Sequence, residues 1–314
     1  MDAYTLIEIV GEGTYGRVWK AIDNRSNDIV AIKQIKKPCS SWEECELECE
    51  LTEVKALFHL KHEPNIVRLR TLFIEHDMLY FVFNYVESTL LRFMNDKIRG
   101  LGRNPELLER LSTDRIGLFS EFEIRGWCRQ IFQALALMHR PGGYIHRDLK
   151  PDNLLVSEDG NVIKIADFGQ AREFDSQLPC TDYVTTRAYR APEVLLNSES
   201  YNSAVDMWAV GAIMAELYSF CILFSGSSWE DQLHQICCVI GSPTHESWTE
   251  GIQLANACGY EFPQVPIAYA YGLKTLIPSA SCEALDLIKS LLTWDPKKRP
   301  TALEALKHPY FSPN

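Results

Sequence analysis

The amino-acid sequence predicts an α+β fold with two lobes, in which a small antiparallel β-sheet with one helix precedes a larger, mostly helical part. Residues 4–35 alternate short apolar runs with turn signals, which is typical of strands. From about residue 121 onward, apolar residues recur mainly at helical spacing. The 314 residues, 46% of them hydrophobic, suffice for a large core. We therefore expect one domain over residues 4–311, with lobes at 4–85 and 86–311.

The composition argues against several classes of protein. A net charge of −11 disfavours a nucleic-acid partner, because nucleic-acid backbones are themselves negative. The ten cysteines include no C-x-x-C pair, which predicts reduced thiols in a cytoplasmic or nuclear protein. The apolar stretch Met207–Phe224 is near the lower length limit of a membrane span and contains Glu216. We expect a buried helix there and no membrane association.

The spacing of apolar residues also predicts the individual elements. The predicted strands are Tyr4–Val10, Gly16–Ile22, Ile29–Ile35, Leu79–Val86 and Val162–Ala166, and the predicted helices are residues 42–60, Glu123–His139, Ser203–Tyr218 and Cys282–Leu292. Residues 97–117 are polar and contain glycines, a proline and several charges, which predicts a surface insertion between helices.

A glycine-rich segment, Gly11–Val18, has the pattern G-x-G-x-x-G-x-V between the first two predicted strands. Glycines allow a tight turn and bring backbone N–H groups close to phosphate oxygens. A dinucleotide-binding loop has the same glycine spacing but is followed by a helix, whereas a strand is predicted here. The context therefore predicts a flap over nucleotide phosphates. Its candidate residues are Gly11, Glu12, Gly13, Gly16 and Val18.

A lysine, Lys33, ends the apolar strand that contains Ala31. A buried ammonium group needs a charged partner. Two interpretations remain open, namely an edge-strand lysine that reaches water and a lysine that grips nucleotide phosphates beside an acid. The candidate acids Glu46, Glu50 and Glu53 share one face of the predicted helix, so spacing alone does not choose among them.

The segment His146–Asn153 concentrates the groups that phosphoryl transfer requires. Asp148 can orient a substrate hydroxyl and accept its proton, and Lys150 can neutralise the phosphate in transit. Asn153 offers an amide oxygen to Mg²⁺. Asp167 opens an Asp-Phe-Gly sequence after a predicted strand, where its carboxylate suits a hard cation.

Together with Ala191–Glu193, these motifs occur in the order that defines the eukaryotic protein kinase superfamily, and the chain resembles it over nearly its whole length. The resemblance implies the bilobal protein-kinase fold, ATP as a substrate and Mg²⁺, with Mn²⁺ as the alternative. It makes His146–Asn153 the catalytic loop and has Asp206 brace the backbone of that loop. It also implies an ion pair of Arg299 with Glu193.

A subfamily is indicated by Thr181-Asp182-Tyr183. This sequence resembles the T-D-Y activation motif of the male germ cell-associated and intestinal cell kinases, within the cyclin-dependent and MAP kinase-like group. The resemblance implies activation by phosphorylation of Thr181 and Tyr183, with an upstream kinase as a partner. The arginines expected to meet these phosphates are Arg147 for Thr181, and Arg187 and Arg190 for Tyr183.

The same subfamily resemblance settles the partner of Lys33 as Glu53, through the sequence around it. It also assigns the adenine pocket. Phe83 would be the gatekeeper, and the hinge from Asn84 to Val86 would bind adenine through its backbone. Ala31 would line the same pocket.

The resemblance implies a monomeric serine/threonine kinase whose protein substrates carry proline after the phosphorylated residue. Ala188 departs from the family, which usually has tryptophan there, and this puts the proline preference at issue. Two alternatives stay open: a pseudokinase, and a cyclin-dependent kinase, although residues 42–58 lack the P-S-T-A-I-R-E pattern. A cilium or flagellum as the location is implied by resemblance alone.

Overall fold

The structure is a computed structural model that describes residues 2–13, 16–38, 50–101, 117–173, 187–198, 201–267 and 271–312. An antiparallel sheet forms the amino-terminal part, and helices dominate the part that follows. The predicted two-lobed α+β fold is thereby confirmed.

The small lobe is built on a five-stranded antiparallel sheet in the order β1-β2-β3-β5-β4. Its strands are β1 Tyr4–Glu12, β2 Gly16–Asp23, β3 Ile29–Pro38, β4 Leu69–Glu75 and β5 Met78–Asn84. Strand β4 was not predicted from the sequence. Its apolar residues Leu72, Phe73 and Ile74 are consecutive and do not alternate with polar ones. An irregularity between Leu69 and Thr71 also shifts the register against β5.

One described helix, α1 (Glu50–His59), belongs to this lobe. Ala56 and Leu57 anchor it in the core, and Glu53 on the same helix is 3% exposed. The predicted helix over residues 42–60 therefore holds for its second half, and residues 42–49 lie outside the described part of the chain. Helix α1 contacts the segment Phe168–Gln170 of the larger lobe.

The larger lobe combines short strands with helices. Its elements are β6 Ser88–Thr89, α2 Leu90–Leu101, α3 Glu121–Met138, β7 Tyr144–Ile145, β8 Leu154–Val156, β9 Ile163–Ile165, β10 Arg172–Glu173, α4 Pro192–Leu195, α5 Ala204–Ser219, α6 Trp229–Ile240, α7 His245–Ala257, α8 Leu273–Leu276, α9 Cys282–Leu291 and α10 Ala302–Ala305. The three helices predicted for this lobe agree with α3, α5 and α9 to within two residues at each end.

The first residues of the predicted surface insertion, 97–101, belong to helix α2, which continues to Leu101. Leu90 and Met94 anchor this helix in the core, and Nζ of Lys97 lies 4.9 Å from the ring centroid of Phe119. The rest of the predicted insertion, apart from Gly117, lies outside the described residues.

Helix α5 runs through the centre of the larger lobe, and every residue from Ala204 to Tyr218 is buried. The buried helix expected at Met207–Phe224 is therefore confirmed as far as Tyr218, whereas Cys221 and Ile222 lie beyond the end of the helix and are exposed. Among the described residues, no helix combines the length and the apolar composition needed to cross a membrane.

A buried ion pair connects the start of α4 to the carboxyl-terminal part of the lobe. The guanidinium of Arg299 donates two hydrogen bonds of 2.7 Å to the two carboxylate oxygens of Glu193. It also donates to the backbone oxygens of Thr293 (2.8 Å), Ala204 (3.0 Å) and Trp294 (3.1 Å). The pair expected from the resemblance is present, and it uses all three guanidinium nitrogens.

We expect Arg299→Met to lower the free energy of unfolding by about 3–5 kcal/mol, because it leaves the Glu193 carboxylate buried without its cation. Urea unfolding measures this loss. Lys289→Met is the matched control, since Lys289 is exposed on α9. Equal stability of the two variants would contradict the structural role of the pair.

Candidate active site

A cleft of about 470 Å³ lies where β1, β2 and β3 face the segments that follow β5 and β9. Its volume suits a small-molecule ligand. The sequence-predicted residues that line it are Gly11, Val18, Ala31, Lys33, Glu53, Phe83, Asn84, Val86 and Asp167. Asp152 and Ala166 line it as well, so the loop His146–Asn153 borders the cleft.

The glycine-rich turn joins β1 to β2. The N–H of Gly13 donates to the backbone oxygen of Gly16 (2.9 Å), which closes the turn. The carboxylate of Glu12, by contrast, pairs with Arg17 at 2.8 Å and is half exposed, so the structure places this side chain at the surface. Of the predicted flap, Gly11 and Val18 line the cleft.

The predicted hinge begins where β5 ends. The N–H of Asn84 donates to the backbone oxygen of Arg68 (3.0 Å), and its side-chain oxygen accepts from Nε of Arg70 (2.5 Å). Arg70 in turn pairs with Asp28 at 2.9 Å. The family that this chain resembles usually has an acid at this position. Asn84 instead has Arg70 of β4 as its charged partner.

Lys33 lies on β3, the central strand of the sheet, opposite Val18 of β2 and Phe81 of β5. The interpretation of an edge-strand lysine is therefore wrong. Its Nζ lies 3.0 and 3.3 Å from the carboxylate oxygens of Glu53 and 2.8 Å from Oδ1 of Asp167. The structure thus brings together the lysine, the acid chosen by resemblance and the predicted metal ligand.

The electrostatics of this group favour its charged form. Burial by itself lowers the pKa of Lys33, but the carboxylates of Glu53 and Asp167 outweigh burial and hold that pKa above its ordinary value. Burial raises the pKa of Asp167, yet Lys33 and the other cations nearby lower it overall. Lys33 is therefore a cation and Asp167 an anion at neutral pH.

Asp206 on α5 holds the start of the loop. Its Oδ2 accepts from the N–H of His146 and its Oδ1 from the N–H of Arg147, both at 2.8 Å. Nε2 of His139 lies 2.8 Å from Oδ2 as well. Burial opposes ionisation of Asp206, but these donors and the nearby histidines keep its pKa below the ordinary value. The bracing expected from the resemblance is present, and it holds Arg147 at a φ of 72°, a conformation that non-glycine residues rarely adopt.

Asp148 is 9% exposed, and its Oδ2 accepts hydrogen bonds from two side chains. Nζ of Lys150 lies 2.8 Å, and Nδ2 of Asn153 3.0 Å, from its Oδ2. Nδ2 of Asn153 also donates to the backbone oxygen of Asp148 (2.7 Å). Among the described residues, Oδ1 of Asp148 therefore remains to accept a proton from a substrate hydroxyl.

The side chains fit a divalent cation. Because the amide nitrogen of Asn153 donates to Asp148, its amide oxygen is available as a ligand, and Asp167 supplies a carboxylate. Mg²⁺ prefers such oxygen ligands and takes others from substrate phosphates. Among the described residues, no group of three or more His, Cys, Asp or Glu could hold a metal by itself. The donor set therefore suits a cation that arrives with a nucleotide.

His146 connects the loop to the strand that precedes Asp167. Its Nε2 lies 3.0 Å from the backbone oxygen of Ala166, and its ring packs edge-on against Phe168, with 5.1 Å between centroids. Because His146 is fully buried, this contact fixes the distance between the segments that carry Asp148 and Asp167.

The predicted phosphorylation sites Thr181 and Tyr183 lie outside the described residues. Of the arginines predicted to meet their phosphates, Arg187 donates from its guanidinium to the backbone oxygen of Ser227 (2.8 Å). Arg190 lies three residues later and donates its N–H to the backbone oxygen of Arg187 (3.0 Å). Arg147 lies against the ring of Tyr201.

Two residues near this site were not predicted from the sequence. The first is Arg172, which lies opposite Ile145 in the pairing of β10 with β7. Ile145 in turn precedes Arg147 by two positions in the chain. His139 contacts Asp206 from the end of α3. No spacing in the sequence marks either residue, because the sheet register and the packing of α3 against α5 create these contacts.

A family model described as "Protein kinase domain" matches residues 4–311. The chain is 50% identical over 311 residues to "Cyclin-dependent kinase F-4" of Oryza sativa subsp. japonica, covering 99% of this chain and 62% of that protein. It is 48% identical to "Serine/threonine-protein kinase MAK" of Mus musculus and 46% to "Serine/threonine-protein kinase ICK" of Rattus norvegicus, again over 99% of this chain but 46% and 45% of theirs. The chain thus spans less than two thirds of the length of these three relatives.

The two glycines of the turn provide a matched pair of variants. A Cβ added at Gly16 would lie 1.8 Å from the backbone oxygen of Gln34, whereas one added at Gly13 would meet nothing within 4 Å. We expect Gly16→Ala to displace β2 from β3 and to weaken ATP binding by about tenfold or more, equivalent to about 1.4 kcal/mol. Gly13→Ala should bind ATP nearly as the unmodified chain does. Titration calorimetry measures both, and equal losses in the two variants would contradict the close approach at Gly16.

Proposed function

The chain belongs to the protein kinase family, and from this premise we propose that it transfers the γ-phosphate of ATP to serine or threonine hydroxyls of proteins. The observation that carries the proposal is that Lys33 and Asp167 line one cleft, which is bordered by the loop that carries Asp148 and Asn153. Each of these four side chains has the partner its role requires. Relatives named serine/threonine-protein kinases support the same choice of hydroxyl.

Each residue has a role that its contacts support. Lys33, held cationic by Glu53, orients nucleotide phosphates. Oδ1 of Asp148 orients the acceptor hydroxyl and takes its proton, while Lys150 neutralises charge on the phosphate in transit. Asp167 and Asn153 would hold Mg²⁺, which neutralises phosphate charge when bound. Catalysis then rests on positioning and electrostatics, which the buried hydrogen bonds of the loop preorganise.

The direct test is Asp148→Asn. This change removes the proton acceptor and keeps the shape of the side chain, so we expect kcat to fall by at least about 10²-fold, equivalent to about 2.7 kcal/mol, with little change in the free energy of unfolding. Transfer of radiolabelled phosphate from ATP to a basic protein measures it. Asp96→Asn, an exposed carboxylate on α2, is the control. Turnover near that of the control would contradict the assigned role.

We also propose regulation by phosphorylation of Thr181 and Tyr183. A phosphate adds nearly two negative charges and orders a loop when arginines bind it. Arg147 is proposed to bind the phosphate on Thr181, and Arg187 and Arg190 the one on Tyr183. An upstream kinase is proposed to act on Thr181, and autophosphorylation on Tyr183.

Complete dephosphorylation by a dual-specificity phosphatase, verified by mass spectrometry, is expected to lower kcat/KM by at least about tenfold, because the arginines then lose their anionic partners. Chain treated with heat-inactivated phosphatase is the control. Undiminished activity after complete removal of both phosphates would rule out this regulation.

The proposed substrates carry proline after the phosphorylated residue. In similar kinases, the backbone that corresponds to residues 184–187 turns a carbonyl away from the substrate. If it does so here, the N–H of the substrate residue after the phosphorylated one is buried without an acceptor, which is unfavourable. Proline at that position avoids this cost because it has no N–H. Ala188 is buried, and its neighbour Tyr189 donates its hydroxyl to Glu216 (2.7 Å) rather than to the substrate side. The pocket therefore lacks the usual tryptophan, and the preference depends mainly on the backbone.

A pair of peptides that differ only in Ser-Pro against Ser-Ala measures this preference. We expect the proline peptide to have a kcat/KM roughly tenfold higher or more, because burying an unpaired N–H disfavours the alanine peptide. Ala188→Trp should widen the difference by adding apolar surface to the pocket. Equal rates for both peptides with the unmodified chain would refute proline direction.

A further inference from the structure

We propose that Tyr201 is a positioning residue that holds the guanidinium of Arg147 ready for the phosphate on Thr181. The inference rests on the proposed function, since it concerns how that phosphate raises activity. It assigns to Tyr201 a task that no motif in the sequence marks.

The backbone of Arg147 is held in one place. Its N–H donates to Oδ1 of Asp206 at 2.8 Å, and its φ is 72°. Asp206 belongs to α5, which is buried along its length. The side chain of Arg147 therefore leaves the loop from a fixed point.

The side chain of Arg147 packs against an aromatic ring. Cζ of Arg147 lies 5.3 Å from the centroid of the Tyr201 ring, within the range of a cation–π contact. Nε of Arg147 is buried and, among the described residues, has no hydrogen-bond partner. A buried donor without an acceptor is unfavourable, and an anionic oxygen nearby would relieve that cost.

A ring face differs from a carboxylate as a partner for arginine. It attracts the cation without occupying its N–H groups, so these donors stay available to a phosphate. Arg299 shows the contrast within the same lobe. Its Cζ lies 5.0 Å from the centroid of Trp208, but its N–H groups are engaged by Glu193 and by backbone oxygens. The guanidinium of Arg299 is thus engaged in structural contacts, whereas Arg147 keeps N–H donors for a phosphate that is added and removed.

Tyr201 lies in the short segment that leads into α5. It directly precedes Asn202, whose side-chain oxygen accepts from the N–H of Ala204 (2.9 Å) at the first residue of α5. The carboxylate that holds the backbone therefore belongs to α5, and the ring that supports the guanidinium lies three residues before the start of that helix. This arrangement keeps Arg147 in place before the phosphate binds, so less ordering remains for the phosphate to impose.

The test compares the full chain with phosphothreonine incorporated at position 181 during translation against the chain with threonine there. For each, kcat/KM is measured and the ratio of the two is the phosphorylation gain. Tyr201→Phe keeps the ring and removes the hydroxyl, and Tyr201→Leu removes the ring. We expect Tyr201→Phe to keep the gain of the unmodified chain and Tyr201→Leu to lower it about five- to tenfold.

A second readout separates positioning from a general loss of structure. The rise in Tm caused by phosphothreonine at 181 should shrink in Tyr201→Leu and stay unchanged in Tyr201→Phe, whatever the Tm of the unphosphorylated variants. An undiminished gain in Tyr201→Leu, or an equal loss in both variants, overturns the inference. An unmodified chain that is active but shows no gain from phosphothreonine overturns it too and leaves the transferase proposal standing. An unmodified chain that transfers no phosphate at all refutes the proposed function itself.

Discussion

The site depends first on the ammonium group of Lys33. This one cation lies between Glu53 of α1 and Asp167 of the segment after β9, at 3.0 and 2.8 Å, and so joins the sheet, the helix of the small lobe and the larger lobe. Because Lys33 is nearly buried, removing either carboxylate leaves a charge poorly compensated. The relative position of the two lobes at the cleft is therefore coupled to the presence of all three charges. A kinase needs this coupling, since phosphates are oriented from one lobe and the acceptor hydroxyl from the other.

The larger lobe holds its part of the site through a second buried charge. Asp206 fixes two consecutive N–H groups of the loop, and His146 connects that loop to Ala166 and Phe168. The reactive side chains thus belong to loops whose backbones are held by helix α5, which explains how irregular segments can keep a geometry that phosphoryl transfer requires. The same helix begins just after Tyr201, so the proposed receptor for the activating phosphate is built on the same support as the catalytic loop.

Much of this arrangement could be predicted from the sequence, because motifs fix residue types at short spacing. Lys33, Asp148 and Asp167 were found in that way, and α3, α5 and α9 from their helical periodicity. Contacts between distant segments could not be predicted. Spacing left three acids as partners for Lys33, and the choice of Glu53 came from resemblance and then from the distances. Strand β4 was missed because Leu72, Phe73 and Ile74 are consecutive and give no alternation, and the contact between Arg147 and Tyr201 depends on where α5 lies.

Glu53, through Lys33, organises the cleft for the proposed phosphoryl transfer. The most direct measurement is kcat/KM for phosphate transfer from ATP by Glu53→Gln, compared with Glu50→Gln, which changes another acid that spacing alone allowed. We expect kcat/KM to fall by at least about 10²-fold in Glu53→Gln and to stay near that of the unmodified chain in Glu50→Gln. Equal activities of the two variants, both folded by circular dichroism, would contradict this role of Glu53.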